Sequence, residues 1–487
     1  MSVRLVYQDI AVGAEDDASV STTAAKKFSS PAQLPHGVES APISTLELNG
    51  WALDGTRESL TTQKVGFCSD QMSGEDGTFA DPPTITVNFD EQYTSLGISL
   101  VFDTAVSDYC SSVTVFWYQG TTLLAEQEFN PDGPIYFCEK TVEHYNKVVI
   151  RMNATHLPYR YAKLSKIMFG ITREFLRDEL RNVKITEGIN LISTDLSVNK
   201  MDFVLDSNTD IDYIFQLLQP IYAYDGETLI GAFYIETSSR KGKSLYDLSC
   251  NDAVGVLDYE TIPAAIYSGK NAKTAILDIL DGKFELDIAP ELENETLTGY
   301  VPEGTRRNAI HHIAFALRAI VDTSGTDKVR VFRAPTANPA NIPPVRTYTG
   351  GSVDTSAIVT AVKVTTHSYS TSGSGNQVEV AGKTYYDTQN VITIRNPDVT
   401  ASDKQNVVEI TDATLVNPSN GQAVAQNVYD YHMRRNTQNL KIVMDAEKPG
   451  DYVTTTTPWG TQITGNITTM NINLSGIAAA NCEVIGV

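Results

Sequence analysis

Tyr213-Ile214-Phe215, Pro220-Ile221-Tyr222-Ala223-Tyr224, Asp225-Gly226, Leu229-Ile230-Gly231-Ala232-Phe233-Tyr234-Ile235 and Leu245-Tyr246-Asp247-Leu248-Ser249-Cys250 follow one another in a single stretch of the chain. β-branched and aromatic residues fill the two runs on either side of Asp225-Gly226, and a third run follows a polar loop. The pattern predicts an antiparallel meander with a tight Asp-Gly hairpin. Upstream, Asn199-Lys200-Met201-Asp202-Phe203-Val204-Leu205-Asp206 alternates as a further strand.

Downstream the period changes. Ala272, Ala275, Ile276, Ile279 and Leu280 share one helical face within residues 271–281, and Ala309, Ile313, Ala316 and Ile320 form a stripe within 305–321. Ser268 or Asn271, and Thr305, are placed to cap these helices. A Pro-rich link through Pro335, Pro343 and Pro344 leads to a last β region with strands at 361–365, 377–380, 391–394 and 440–444 and a helix near 422–435. Upstream of all this, short strands at 84–89, 96–102, 113–118, 123–129, 135–137 and 147–152 predict a sandwich, most simply a jelly roll. The resulting division is an extended arm at 1–58, a jelly roll at 59–170, a β-barrel domain at 171–260, an α/β insertion at 261–333 and a second β-barrel domain at 334–487. The fold class is mainly β with α insertions, in several domains. The alternating Val3-Arg4-Leu5-Val6-Tyr7 is the one strand-like run in the arm, suited to adding to a sheet edge.

The 487 residues exceed one ordinary core. A net charge of −22, from 37 basic and 59 acidic side chains, argues against binding nucleic acid or anionic membranes. No apolar run is long enough for a spanning helix, and no secretory signal is expected after Met1-Ser2-Val3-Arg4-Leu5. The Asn-X-Ser/Thr matches at Asn153, Asn294, Asn466 and Asn473 then read as chance. Cys68, Cys110, Cys138, Cys250 and Cys482 are odd in number with no C-x-x-C pair, and read as reduced buried thiols.

No catalytic, cofactor or metal site is expected. Ser268-Gly269-Lys270 lacks the upstream glycine of a phosphate loop, and neither a G-x-S-x-G elbow nor H-E-x-x-H occurs. His311 and His312 diverge by about 100 degrees around a helix and cannot both face one metal. Asp206, Asn208, Asp210 and Asp212 lack the glycine and distal glutamate of a calcium loop and read as a polar turn. The candidate ligand contacts are aromatic. Trp117 and Tyr118 lie in the jelly roll on opposite faces of one strand, so one of them is outward, where a sugar ring can stack.

Taken together, the 229–235 run, Leu248-Ser249-Cys250-Asn251-Asp252-Ala253-Val254-Gly255-Val256-Leu257-Asp258, Gly299-Tyr300-Val301-Pro302, Thr305-Arg306-Arg307-Asn308-Ala309-Ile310, Ala314-Phe315-Ala316-Leu317 with Val321-Asp322-Thr323, and Lys448-Pro449-Gly450-Asp451 resemble the baseplate hub proteins of bacteriophage tail tips. The strand order at 59–170 resembles a galactose-binding-like jelly roll. The hub resemblance implies a structural, non-enzymatic virion protein made in the host cytoplasm. Three copies would form a ring joining a six-fold tail tube to a three-fold tip. Its partners would be a distal tail protein, the tail-tube protein and the tape-measure protein, and its bore would pass the tape measure and the genome. The alternative is a tail protein that binds host-surface glycan through the jelly roll, with Trp117 or Tyr118 as the contact.

Overall fold

The computed structural model describes residues 3–11, 13–37, 47, 66–104, 107–207, 215–400, 404–474 and 479–487. The proposed polar turn at Asn208, Asp210 and Asp212, the Tyr213-Ile214 start of the meander and most of residues 38–65 lie outside them. The described chain is mainly β with five helices and falls into two compact units, residues 7–173 and residues 1–6 with 174–487.

The unit 7–173 is a sandwich built on two long strands, Thr84–Val101 and Ile135–Thr155. Each is read in the sequence as two short strands, and each proves continuous because the ladder survives register shifts between Asn88 and Gly97. Such bulges let a strand turn and serve two layers. The first half of Thr84–Val101 pairs with the second half of Ile135–Thr155, which also pairs with Cys110–Gln119; the second half pairs with residues 135–139 and with Lys166–Met168. Gly97 makes the turn possible, since its φ is +149° and a Cβ there would collide with the carbonyl of Cys138. Ile85, Val87, Val113, Val115, Val148 and Ile150 of one layer meet Ile98, Leu100, Cys138 and Ile167 of the other in a single core.

The N-terminal segment belongs to this core. Ser19–Ser21 pairs with residues 86–88, and Leu34 is fully buried. The sequence there is rich in small polar residues and gives no periodic signal. Tertiary contact alone orders it.

In the other unit the expected meander is present. Pro220–Asp225, Thr228–Arg240 and Leu245–Asn251 pair in antiparallel succession, and Lys200–Asp206 pairs with Leu245–Asn251. Asp225 pairs with Thr228 across a two-residue turn in which Gly226 takes φ +59°. Arg4 of the N-terminal strand contacts Glu174 at 2.9 Å and sits 4.5 Å over the Tyr224 ring, so this end of the arm is tied within its own chain.

In the last β region Asn436–Val443, Ala479–Gly486, Gln462–Asn473 and Tyr452–Thr456 pair side by side in that order. Leu180–Gly188 pairs with Gln462–Asn473 from Lys184↔Asn473 to Gly188↔Thr469, so one 13-stranded sheet runs through both expected barrels. A separate four-stranded sheet includes Ala361–Ser370 and Lys383–Arg395, and the helix Gly421–Met433 packs on it through Val424, Ala425 and Val428.

The insertion carries helices Ala272–Leu280 and Arg306–Leu317. The buried residues of the first are the five on its apolar face, and Asn271 and Thr305 cap through bonds from the N–H groups of Thr274 and Asn308. The second helix stops at Leu317, short of the expected Val321. Arg318 takes φ +55° as a left-handed cap, and Ile320–Asp322 continues as a strand.

Candidate functional site

The strand Cys110–Gln119 decides which aromatic is outward. Trp117 is fully buried, edge-on to Phe129 at 6.4 Å, and its indole N–H has no hydrogen-bond partner among the described residues. This corrects the expectation for Trp117, because a ring sealed in the core meets no glycan. Tyr118 points the other way, half-buried, with the Lys147 ammonium 4.5 Å from its ring centroid. Two residues earlier on the same face, Phe116 lies under Arg151 at 5.1 Å. The outward face of this strand is therefore a row of aromatic rings, each under a cation from Ile135–Thr155.

The same unit buries a mixed-sign cluster. Lys163 Nζ lies 2.6 Å from Glu47, 3.2 Å from Asp108 and 4.0 Å from Asp103, and all four side chains are nearly sealed from solvent. Arg160 reaches Asp108 at 3.5 Å. His156 approaches Asp108 at 3.4 Å and stacks on Tyr109. Burial works against the Lys163 ammonium, and Glu47, Asp108 and Asp103 more than offset it, holding its pKa above the ordinary lysine value.

In the other unit, carboxylates gather beside the seam between Leu180–Gly188 and Gln462–Asn473. Asp252 caps the short helix Ala253–Val256, accepting from Gly255 N at 2.9 Å and from Thr323 Oγ1 at 2.6 Å. Asn199 donates to Thr323 at 3.1 Å and accepts from Gly188 N at 2.8 Å. Asp322 accepts from Ser324 N at 3.0 Å and from Arg330 at 3.1 Å. Glu187 is buried with Oε1 unpartnered among the described residues. Burial, reinforced by the charge of Asp322, pushes Glu187 up to about 8. Burial likewise pushes Asp252 up to about 6, against the bonds from Thr323, Gly255 and Asn199. Periodicity and spacing gave no sign of either cluster, whose members come from distant parts of the chain.

No three His, Cys, Asp or Glu side chains among the described residues are grouped to hold a metal ion. The five cysteines are buried free thiols, and burial raises the pKa of each, so none is poised as a nucleophile. Ser268-Gly269-Lys270 lies on the strand Ala265–Asn271 and not in a phosphate-cradling loop. No helix among the described residues is long and apolar enough to cross a membrane.

No family model and no curated protein matches the chain. Among solved structures, it is similar to a tail protein from Neisseria meningitidis MC58, at 13% identity over 64% of this chain and 93% of that one, with a TM-score of 0.47. It is similar to prophage tail protein gp18 from Listeria monocytogenes EGD-e at 12% identity over 64% and 91%, with a TM-score of 0.44. A family 32 CBM from C. perfringens NanJ, solved in complex with galactose, is 12% identical over 34% of this chain and 99% of that one, with a TM-score of 0.22.

Proposed function

We propose that this chain is a structural, non-enzymatic hub of a phage tail tip. In this reading three copies form a ring that joins the six-fold tail tube to the three-fold tip and lets the tape measure and genome pass. The observation that carries it is the continuous sheet: two β groups, separated in sequence by a helix-bearing insertion, are joined through Leu180–Gly188 and Gln462–Asn473. That is the layout the hub motifs imply, two β domains with an insertion between them. The net charge of −22 supports the same reading, since an acidic bore would not retain DNA. Its partners would be the distal tail, tail-tube and tape-measure proteins. Size exclusion with light scattering should give a trimer, or a monomer that trimerises on adding tail-tube or distal tail protein, and electron microscopy should show three-fold rings with a central hole. A monomer indifferent to both proteins would sink the proposal.

A second reading, favoured by the outward aromatic row at Phe116 and Tyr118, makes unit 7–173 a binder of host cell-wall glycan. On an array of host wall sugars, Tyr118→Ala should then weaken retention by about 1–3 kcal/mol, the range for one stacked ring. Trp117→Ala should instead destabilise the fold by about 3–5 kcal/mol. Absence of retention by the intact protein would leave this face without a glycan role.

A further inference from the structure

A cavity of about 490 Å³ opens between the helices Arg306–Leu317 and Gly421–Met433 and the segment 408–413. Ile192, Phe315, Ile410 and Tyr431 give it an apolar floor. His312 lines it and is only 7% exposed, and its Nδ1 has no hydrogen-bond partner among the described residues. His311, expected to diverge from its neighbour, lines the same cavity, with the two ring centroids 5.0 Å apart. The space wraps around the helix far enough to meet both.

The charges of the lining decide what fits. Burial lowers the pKa of His311, His312 and His432, so the rings are neutral near pH 7 and offer no anion site. Glu409 is taken up by Lys363 at 2.6 Å. Asp412 is exposed at the rim, and its carboxylate makes no ion pair or hydrogen bond among the described residues. What remains is a slot of mixed lining with an apolar floor, one negative charge without an ion pair among the described residues and a buried imidazole nitrogen lacking a partner among them. With its proton on Nε2, that ring presents a lone pair at Nδ1.

We propose that this cavity binds an alkylammonium group, its hydrocarbon chain on the Phe315 and Tyr431 floor and its N–H donors shared between the Asp412 carboxylate and His312 Nδ1. An ammonium has three donors and no acceptor, which matches the Asp412 carboxylate and the unpartnered His312 Nδ1. A free di- or polyamine and a lysine side chain of an abutting protein present the same chemistry. The full-length chain is titrated calorimetrically with cadaverine, with a blocked Ala-Lys-Ala peptide, and with pentanol as the uncharged comparison. At least one ammonium probe should bind saturably, more tightly than pentanol, and Asp412→Asn should weaken it by about tenfold, the loss of one charge-assisted contact. Because Asp412 is exposed, this variant should fold, as its melting curve will show. His312→Leu should also weaken binding, and Glu379→Gln, on an exposed strand away from the cavity, should not. Binding of cadaverine identifies a free amine as the occupant, and binding of the peptide alone identifies a partner's lysine. Failure of both probes, equal binding of pentanol, or unchanged affinity in Asp412→Asn would overturn the proposal. Trimer formation is measured separately, so the outcome is read independently of the hub function.

Discussion

In residues 7–173 the buried charges come in opposite signs, Lys163 and Arg160 against Glu47, Asp103 and Asp108. Beside the seam of the other unit, Glu187, Asp252 and Asp322 are buried among hydroxyls, amides and backbone N–H groups, with Arg330 reaching only one of them. The first arrangement supplies cations in place of water around its carboxylates. The second offers fewer cations, and burial raises the pKa of all three carboxyls. Burial of charge alone therefore says little about pH response, and the balance of signs around it decides.

Removing the cation should break the first arrangement with the largest effect. Lys163→Met leaves three carboxylates buried without their shared partner, and urea denaturation should show a loss of about 3–5 kcal/mol at pH 7. The folded pKa of Lys163 is raised, so its contribution is complete below the unfolded lysine value of 10.5 and fades only as pH rises through the higher folded value. The wild-type protein should accordingly show no loss from this group between pH 6 and 9, a range lying wholly below 10.5.

The seam predicts the opposite sign. Glu187 has a folded pKa of about 8 against an ordinary 4.5, so the folded state holds a proton that the unfolded state has released across that interval. Stability contributed by the protonated form is complete below 4.5 and lost as pH rises through 8. Glu187→Gln, which keeps the shape of the neutral acid, should raise stability above pH 8 by on the order of a few kcal/mol and change little at pH 5. Melting curves at the two pH values test this. A variant that is destabilised equally at both would show that Glu187 is needed as an anion.

A smaller effect separates hydroxyl support from charge support. Thr323→Val removes the donor to Asp252 and the acceptor for Asn199 with little change in volume, and should cost about 1–3 kcal/mol. With Asp252 pushed up to about 6, the cost should be greater at pH 8, where the carboxylate is charged, than at pH 5. Equal costs at both would mean that Thr323 serves packing and not the charge.

The sequence disclosed most where the cause of structure is local. The apolar face of Ala272–Leu280, the caps at Asn271 and Thr305 and the meander around Asp225-Gly226 follow from periodicity, side-chain hydrogen bonding and turn chemistry within a few residues. Alternation placed Trp117 and Tyr118 on opposite faces but contained no term for which face meets the other layer. The long bent strands were read as pairs of short ones because the shifts between Asn88 and Gly97 look like loops when the partner strand is not in view. The buried charge clusters were invisible for a simpler reason. Glu47, Asp108 and Lys163 are neighbours only through the tertiary fold, and as isolated residues they resemble any solvated surface charge.

The seam also sets a schedule for the growing chain. Thr186 and Asn471 bond side chain to side chain at 3.0 Å although they stand 285 positions apart, and the ladder they belong to joins residues 184–188 to residues 469–473. Pairing this remote is slow, because the ends of so long a segment must first find each other. During synthesis the Leu180–Gly188 strand can fold onto Lys200–Asp206 early, yet its other edge has no partner until residues 469–473 leave the ribosome. For that interval the nascent protein carries a bare β-edge, the feature through which chains most readily stick to one another. Yield of soluble protein should therefore depend on how quickly translation reaches residue 473.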